Sequence, residues 1–127
     1  MFGQSKKPLD RSPYSQSPLS HPLTLAEQAE SYVYVVDEQE VIHVMIDGPH
    51  MHPLVLGGAR AAKYAGDLVI SKPGTIVELT NLSGTFSFRS KRSLCCVAER
   101  LRQMRFLVKA VIWYPPDGKS FPRRLSC

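Results

Sequence analysis

Two apolar runs, Asp67-Leu-Val-Ile70 and Thr75-Ile-Val-Glu-Leu79, stand on either side of Lys72-Pro73-Gly74. Proline presets φ for the first central position of a type II turn, and glycine supplies the positive φ of the second. The two runs are therefore expected to fold back on each other as an antiparallel hairpin. Upstream, Tyr32-Val-Tyr-Val-Val36 and Val41-Ile-His-Val-Met-Ile46 are β-branched and aromatic, separated by the polar Asp37-Glu-Gln-Glu40. They read as a second hairpin.

From Ser90 the apolar period lengthens from that of a strand to that of a helix. Leu94, Val97, Leu101 and Met104 lie at i, i+3, i+7 and i+10, with Arg92, Glu99, Arg100 and Arg102 elsewhere around the axis, which predicts a helix over 91–105. Phe106 to Trp113 reads as a last strand, stopped by Pro115-Pro116-Asp-Gly118. Three smaller elements are expected. A capping box in Thr24-Leu-Ala-Glu27 predicts a short helix over 24–30. Leu54 to Tyr64 reads as a short helix ended by Gly66, and Thr85-Phe-Ser-Phe88 as a short strand. No βαβ alternation is present. The predicted class is α+β, a mainly antiparallel bent sheet of two hairpins and a C-terminal strand packed on one long helix.

Residues 1–22 are rich in serine and proline and lack a hydrophobic period. They predict a disordered leader over 1–23, before a single domain over 24–127. An export address is the alternative reading of that leader. Met1 to Leu9 contains no apolar core of a secretory signal, and no apolar run approaches the roughly 20 residues of a membrane helix. The expected location is cytoplasmic, or exported as an effector without a cleavable signal peptide.

Charge is unevenly spread. The net +5 divides into +2 over residues 1–26, −5 over 27–80 and +8 over 81–127, where ten Lys or Arg face only Glu99 and Asp117. A cationic block joined to an acidic one implies internal complementarity or an anionic partner. Three cysteines lack a framework spacing. Cys95 and Cys96 are adjacent and cannot pair with each other, which leads to an expectation of a reducing compartment and incidental thiols, Cys127 included.

Few residues carry a chemical signature. His50 and His52 share one side of an extended segment, and with His43 they could form a three-histidine set. The following Ala65-Gly-Asp-Leu-Val-Ile is similar to a cupin strand-turn, but a cupin's further ligands are lacking, so no metal and no cofactor are expected. Ser83 has no nucleophile-elbow glycines, and Gly57-Gly58 lacks the Lys-Ser/Thr of a phosphate loop. Phe86, Phe88, Phe106, Trp113 and Phe121 interleave with basic residues, the arrangement that stacks on single-stranded nucleic acid, although aromatics alternating along strands are more often core.

One stretch resembles a known block. His52-Pro-Leu-Val-Leu-Gly-Gly, Ala65-Gly-Asp-Leu-Val-Ile and Gly74-Thr-Ile-Val-Glu-Leu-Thr-Asn-Leu-Ser-Gly-Thr-Phe are similar to a segment shared by bacterial effector- or toxin-like proteins and plant IQ-motif calmodulin-binding proteins. There the pattern is His-Ser-Ser-Leu, Ala-Gly-Glu-Leu, Gly-x-Ile, then Asn-x-Ser-Gly-His-Tyr-x-Pro before a helix. The likeness covers residues 32–105. It matches His52 to the first histidine, Ala65 and Gly66 to Ala-Gly, and Ser83 and Gly84 to Ser-Gly. Asp67 replaces the glutamate, Thr85-Phe-Ser-Phe88 replaces His-Tyr-x-Pro, and no IQ segment is present, so calmodulin binding is not implied. The resemblance implies a fold and a cluster around His52 and Ser83 rather than a reaction.

The expected function is a small binding or accessory protein, effector-like, engaging a protein or other anionic partner through a cationic C-terminal face. Nucleic acid is a less favoured partner. Asn81, Thr85, Arg92, Arg100 and Arg102 are the candidate binding residues. The alternative is a small toxin-like enzyme acting on a nucleotide or protein, with His50, His52 and Ser83 as its catalytic candidates. A degenerate cupin-like binder of a metal or small ligand is the third reading.

Overall fold

Each β-branched run forms a strand, and the positions that pair across strands share one face of the sheet. The computed structural model describes residues 2, 20–46, 61–82, 90–117 and 119–127. Its strands are β1 (His21–Pro22), β2 (Glu30–Val36), β3 (Ile42–Ile46), β4 (Tyr64–Lys72), β5 (Thr75–Thr80), β6 (Leu107–Val108), β7 (Val111–Trp113) and β8 (Arg123–Arg124), and the helix α1 is Lys91–Gln103. All eight strands join one sheet in the order β1-β3-β2-β4-β5-β7-β8, with β6 also on β5. The chain is α+β.

Both predicted hairpins form. β2 pairs β3 antiparallel with Tyr34 opposite Val44, and Asp37 ties the connection. Its Oδ1 accepts from the amides of Gln39 and Val41, each at 2.9 Å. β4 pairs β5 with Lys72 opposite Thr75, and Gly74 takes the expected positive φ of 84°.

The sheet is mixed, which corrects the mainly antiparallel expectation. β6 and β7 run parallel to β5, because a chain that leaves one strand and returns through a single helix reaches the next in the same direction. Thr75 faces Leu107, and Leu79 faces Val111. One register thus persists across both pieces, and the predicted last strand is a single strand interrupted at Lys109 and Ala110. The helix is also shorter than expected, at 13 residues. The Ser90 hydroxyl caps its start by accepting from the Ser93 amide at 3.1 Å. Its end is a Schellman turn: Phe106 N donates to Leu101 O, Arg105 N donates to Arg102 O, and Arg105 takes φ 78°.

Of the expected apolar face of α1, Leu94, Val97 and Leu101 are fully buried, while Met104, the C-cap, is partly buried against the core. The three buried residues join one continuous core with Tyr34, Tyr64, Leu68, Ile76, Leu79 and Trp113. Burying this much apolar surface, at about 25 cal/mol per Å², is what fixes the helix to the sheet.

One predicted helix and the end of another need correction. Gly66 does not end a helix; it lies inside β4 opposite Tyr34, since Tyr64, Ala65, Leu68 and Ile70 all bury against neighbouring strands. Leu54 to Arg60 and Thr85 to Phe88 lie outside the described residues. The Thr24–Glu27 capping box does form: Glu27 Oε2 accepts from Thr24 N at 3.0 Å, and Ala26 N donates to Thr24 Oγ1 at 3.3 Å. It nevertheless caps a single turn rather than a helix. Leu25 stays 44% exposed, so the segment has no apolar face to bury, and isolated short helices are marginal. Tyr32 then donates its hydroxyl to Gln28 O, and β2 begins at Glu30. β1 lies within the stretch read as leader, with Leu23 in the core and Phe2 packed against it.

Candidate functional site

The sheet order sorts the charge. The acids Glu27, Glu30, Asp37, Glu38 and Glu40 open, flank or connect β2 and β3 toward the β1 edge, and the basic β8 forms the other edge. At the β1 edge a cavity of about 420 Å³ is lined by His21, Glu27, Glu30, Tyr32 and Ile46. Glu27 Oε1 lies 2.8 Å from His21 Nε2. Burial pushes the Glu27 carboxyl up, but the bonds from His21 and Thr24 outweigh it and hold the group below the usual range.

At the opposite edge two hollows adjoin. One, of about 440 Å³, is lined by Arg102, Lys109, Val111, Arg124, Leu125, Ser126 and Cys127. The other, of about 450 Å³, is lined by Arg92, Cys95, Cys96, Glu99, Arg102 and Cys127. Arg102 and Cys127 belong to both. The tail reaches this position as β8, where Ile112 faces Arg124 and Trp113 faces Arg123. Leu125 N donates to Val111 O at 2.8 Å, and Arg124 Nη2 donates to Lys109 O at 2.9 Å.

A disulfide joins Cys95 to Cys127, with their Cα atoms 5.5 Å apart. The expectation of incidental thiols is therefore wrong for these two, and the inference of a reducing compartment loses its basis. Cys96 keeps its thiol and is buried. The adjacent cysteines part company because α1 turns about 100° per residue. Cys96 flanks the core face beside Val97, while Cys95 points toward the tail. A cysteine off the apolar face of an amphipathic helix, with another in the tail, was the signal in the sequence for this pairing. Lys109 and Arg124 also join the hollow; no sequence pattern links them, because the parallel return of the chain is what brings them together.

Of the predicted binding residues, Arg92 and Arg102 meet at this site. Arg100 is exposed but lines neither hollow, as its position is turned about 160° from Arg102 around the axis. Among the described residues, no arginine or lysine of 91–127 forms an ion pair with a carboxylate; His21–Glu27 and His43–Asp37 do pair elsewhere in the chain. Asn81 is buried, with both ends of its amide in use. Its Oδ1 accepts from Tyr114 N at 2.7 Å, and its Nδ2 donates to Tyr114 O at 2.9 Å. This bond pair extends the β5–β7 pairing by one residue.

His50, His52, Ser83 and Thr85 lie outside the described residues. His43, the third member of the conceived histidine set, has its Nε2 on Asp37 Oδ2 at 2.8 Å. Burial pushes the Asp37 carboxyl up, yet the bonds from Val41, His43 and Gln39 prevail and hold it below the usual range. Among the described residues, no group of three His, Cys, Asp or Glu is placed to hold a metal, and no helix is long and apolar enough to cross a membrane. Phe106 and Trp113 are buried, so neither offers a face for base stacking.

No protein-family model, no curated protein and no solved structure matches the chain.

Proposed function

We propose that this protein is a binding module that takes an acidic segment of a partner protein on its cationic edge, centred on Arg102. The observation that carries this reading is the lack of internal neutralisation. Arg92 and Arg102 of α1, Lys109 between β6 and β7, and Arg124 of β8 converge on two adjoining hollows whose only acidic side chain, among the described residues, is Glu99, and among the described residues none of these cations pairs with a carboxylate. Internal complementarity, the other account of the charge asymmetry, draws no support from this arrangement. Guanidinium groups match carboxylates with two parallel hydrogen bonds. With Phe106 and Trp113 committed to the core, the stacking that single-stranded nucleic acid would use lacks two of its candidate aromatics.

The disulfide supports the exported alternative for its location, because such bonds persist in oxidising compartments and are rare in reducing ones.

The test is fluorescence anisotropy with a labelled poly-glutamate peptide, beside an oligonucleotide of matched charge. The peptide is expected to bind more tightly, with affinity falling as salt rises. Arg102→Glu should weaken binding more than Arg100→Glu. Equal effects of the two reversals would remove Arg102 from the centre of the site, and tighter binding of the oligonucleotide would make nucleic acid the partner.

A further inference from the structure

We infer that the Cys95–Cys127 disulfide is a redox latch that assembles the cationic site, so that the acidic partner is held by the oxidised chain and released by the reduced one. This rests on the binding reading above. Cys127 lines both hollows, as does Arg102, so these two residues form the wall the hollows share. Besides the disulfide, the tail is held by the two-residue pairing of β8, the Leu125–Val111 bond, the Arg124–Lys109 bond and the packing of Leu125 on the core. A strand of two residues is marginal by itself. Beyond Leu125, among the described residues, no hydrogen bond fastens Ser126 or Cys127, and the disulfide to α1 is their one anchor. Cys127 is exposed and Cys95 half-buried, so an attacking thiolate can reach the bond.

The chemistry is ordinary exchange. A thiolate of a dithiol attacks one sulfur of the Cys95–Cys127 bond and forms a mixed disulfide, expelling the other sulfur as a thiolate. The second thiol of the reductant then closes its own disulfide and releases the first cysteine. Two electrons pass to the protein and each cysteine sulfur takes a proton. A disulfide-form oxidant drives the reverse. After reduction, Ser126 and Cys127 are no longer tied to α1, and the two hollows keep Arg102 but lose Cys127 from their common wall. A chain made in a reducing compartment would carry the site unassembled and complete it on reaching an oxidising one.

The latch is tested with the full chain and the labelled poly-glutamate peptide, comparing oxidised protein, protein reduced with dithiothreitol, and Cys127→Ser. Reduction and substitution are each expected to weaken binding about tenfold, the equivalent of one charge-assisted contact, and reoxidation should restore only the wild type. Amide exchange of residues 120–127 is expected to quicken on reduction while that of α1 stays slow, which separates an opened latch from an unfolded domain. Equal peptide affinity in both redox states, or unchanged exchange in the tail, overturns the latch and leaves the binding reading standing. Failure of the oxidised protein to bind the peptide overturns the binding reading and the latch built on it.

Discussion

The phenol of Tyr34 donates to the carbonyl of Thr80 at 2.7 Å, within the buried core and across 46 residues of sequence. The bond passes directly over Gly66. A Cβ added there would stand 1.9 Å from Thr80 O and 2.8 Å from Tyr34 Oη. Glycine in this strand is what lets β5 end against β4 and what gives the tyrosine hydroxyl its acceptor. The same bond accounts for Tyr34 tolerating full burial, since a buried hydroxyl without a partner is costly. Burial also raises its pKa well above the ordinary tyrosine value.

Gly66→Ala is therefore expected to be among the most damaging small substitutions in the chain, at or beyond the upper end of the about 1–3 kcal/mol typical of overpacking. Tyr34→Phe should cost about 1–3 kcal/mol by stranding the Thr80 carbonyl. Adding Tyr34→Phe to Gly66→Ala should not rescue it, because the tighter clash is with backbone. Urea denaturation of the three variants checks this, and a fully rescued double variant would mean that the phenol, not Thr80, sets the constraint.

Asp37 predicts a pH dependence. Its folded carboxyl sits below the usual range, so its contribution is complete above the unfolded value of about 3.9 and is lost as pH falls through the lower folded value. Asp37→Asn keeps an acceptor for the Gln39 and Val41 amides but loses the charge facing His43. We expect about 1–2 kcal/mol of destabilisation at pH 6–7, with the gap to wild type closing below about pH 4. Thermal melts across that range measure it; a gap that widens on acidification would be inconsistent with a depressed carboxyl.

Asn81→Ala should destabilise by about 1–3 kcal/mol, as it removes both partners of the Tyr114 peptide groups at the end of the β5–β7 pairing. Anionic-peptide affinity of the folded fraction should stay within about twofold of wild type, a change well under the 1.4 kcal/mol of a tenfold loss. Loss of affinity with stability unchanged would instead give Asn81 the binding role expected from the sequence.

Arg105→Gly should stabilise the protein by up to about 1 kcal/mol, because Arg105 closes the helix at φ 78°, a conformation glycine adopts without steric cost. Arg105→Ala should give no such gain. Equal stabilisation by both would point to relief of charge repulsion instead.

The sequence determined the elements whose cause is local. Pro73 and Gly74 specified the second hairpin because proline and glycine angles alone make that turn. The spacing of Leu94, Val97 and Leu101 specified α1 and its buried face for the same reason of short range. The capping box at Thr24 was equally legible, but bonds among neighbouring residues cannot sustain a helix that has no surface to bury against. The tertiary structure decided the rest. Gly66 reads locally as a helix terminator, yet its fate depends on Tyr34 and Thr80, distant in sequence and brought over it by pairing. The parallel direction of β6 and β7, and the meeting of Cys95 with Cys127 and of Arg102 with Arg124, follow from how the chain returns through α1. Hydrophobic burial sets that return path, and it depends on the whole core rather than on any one segment of the sequence.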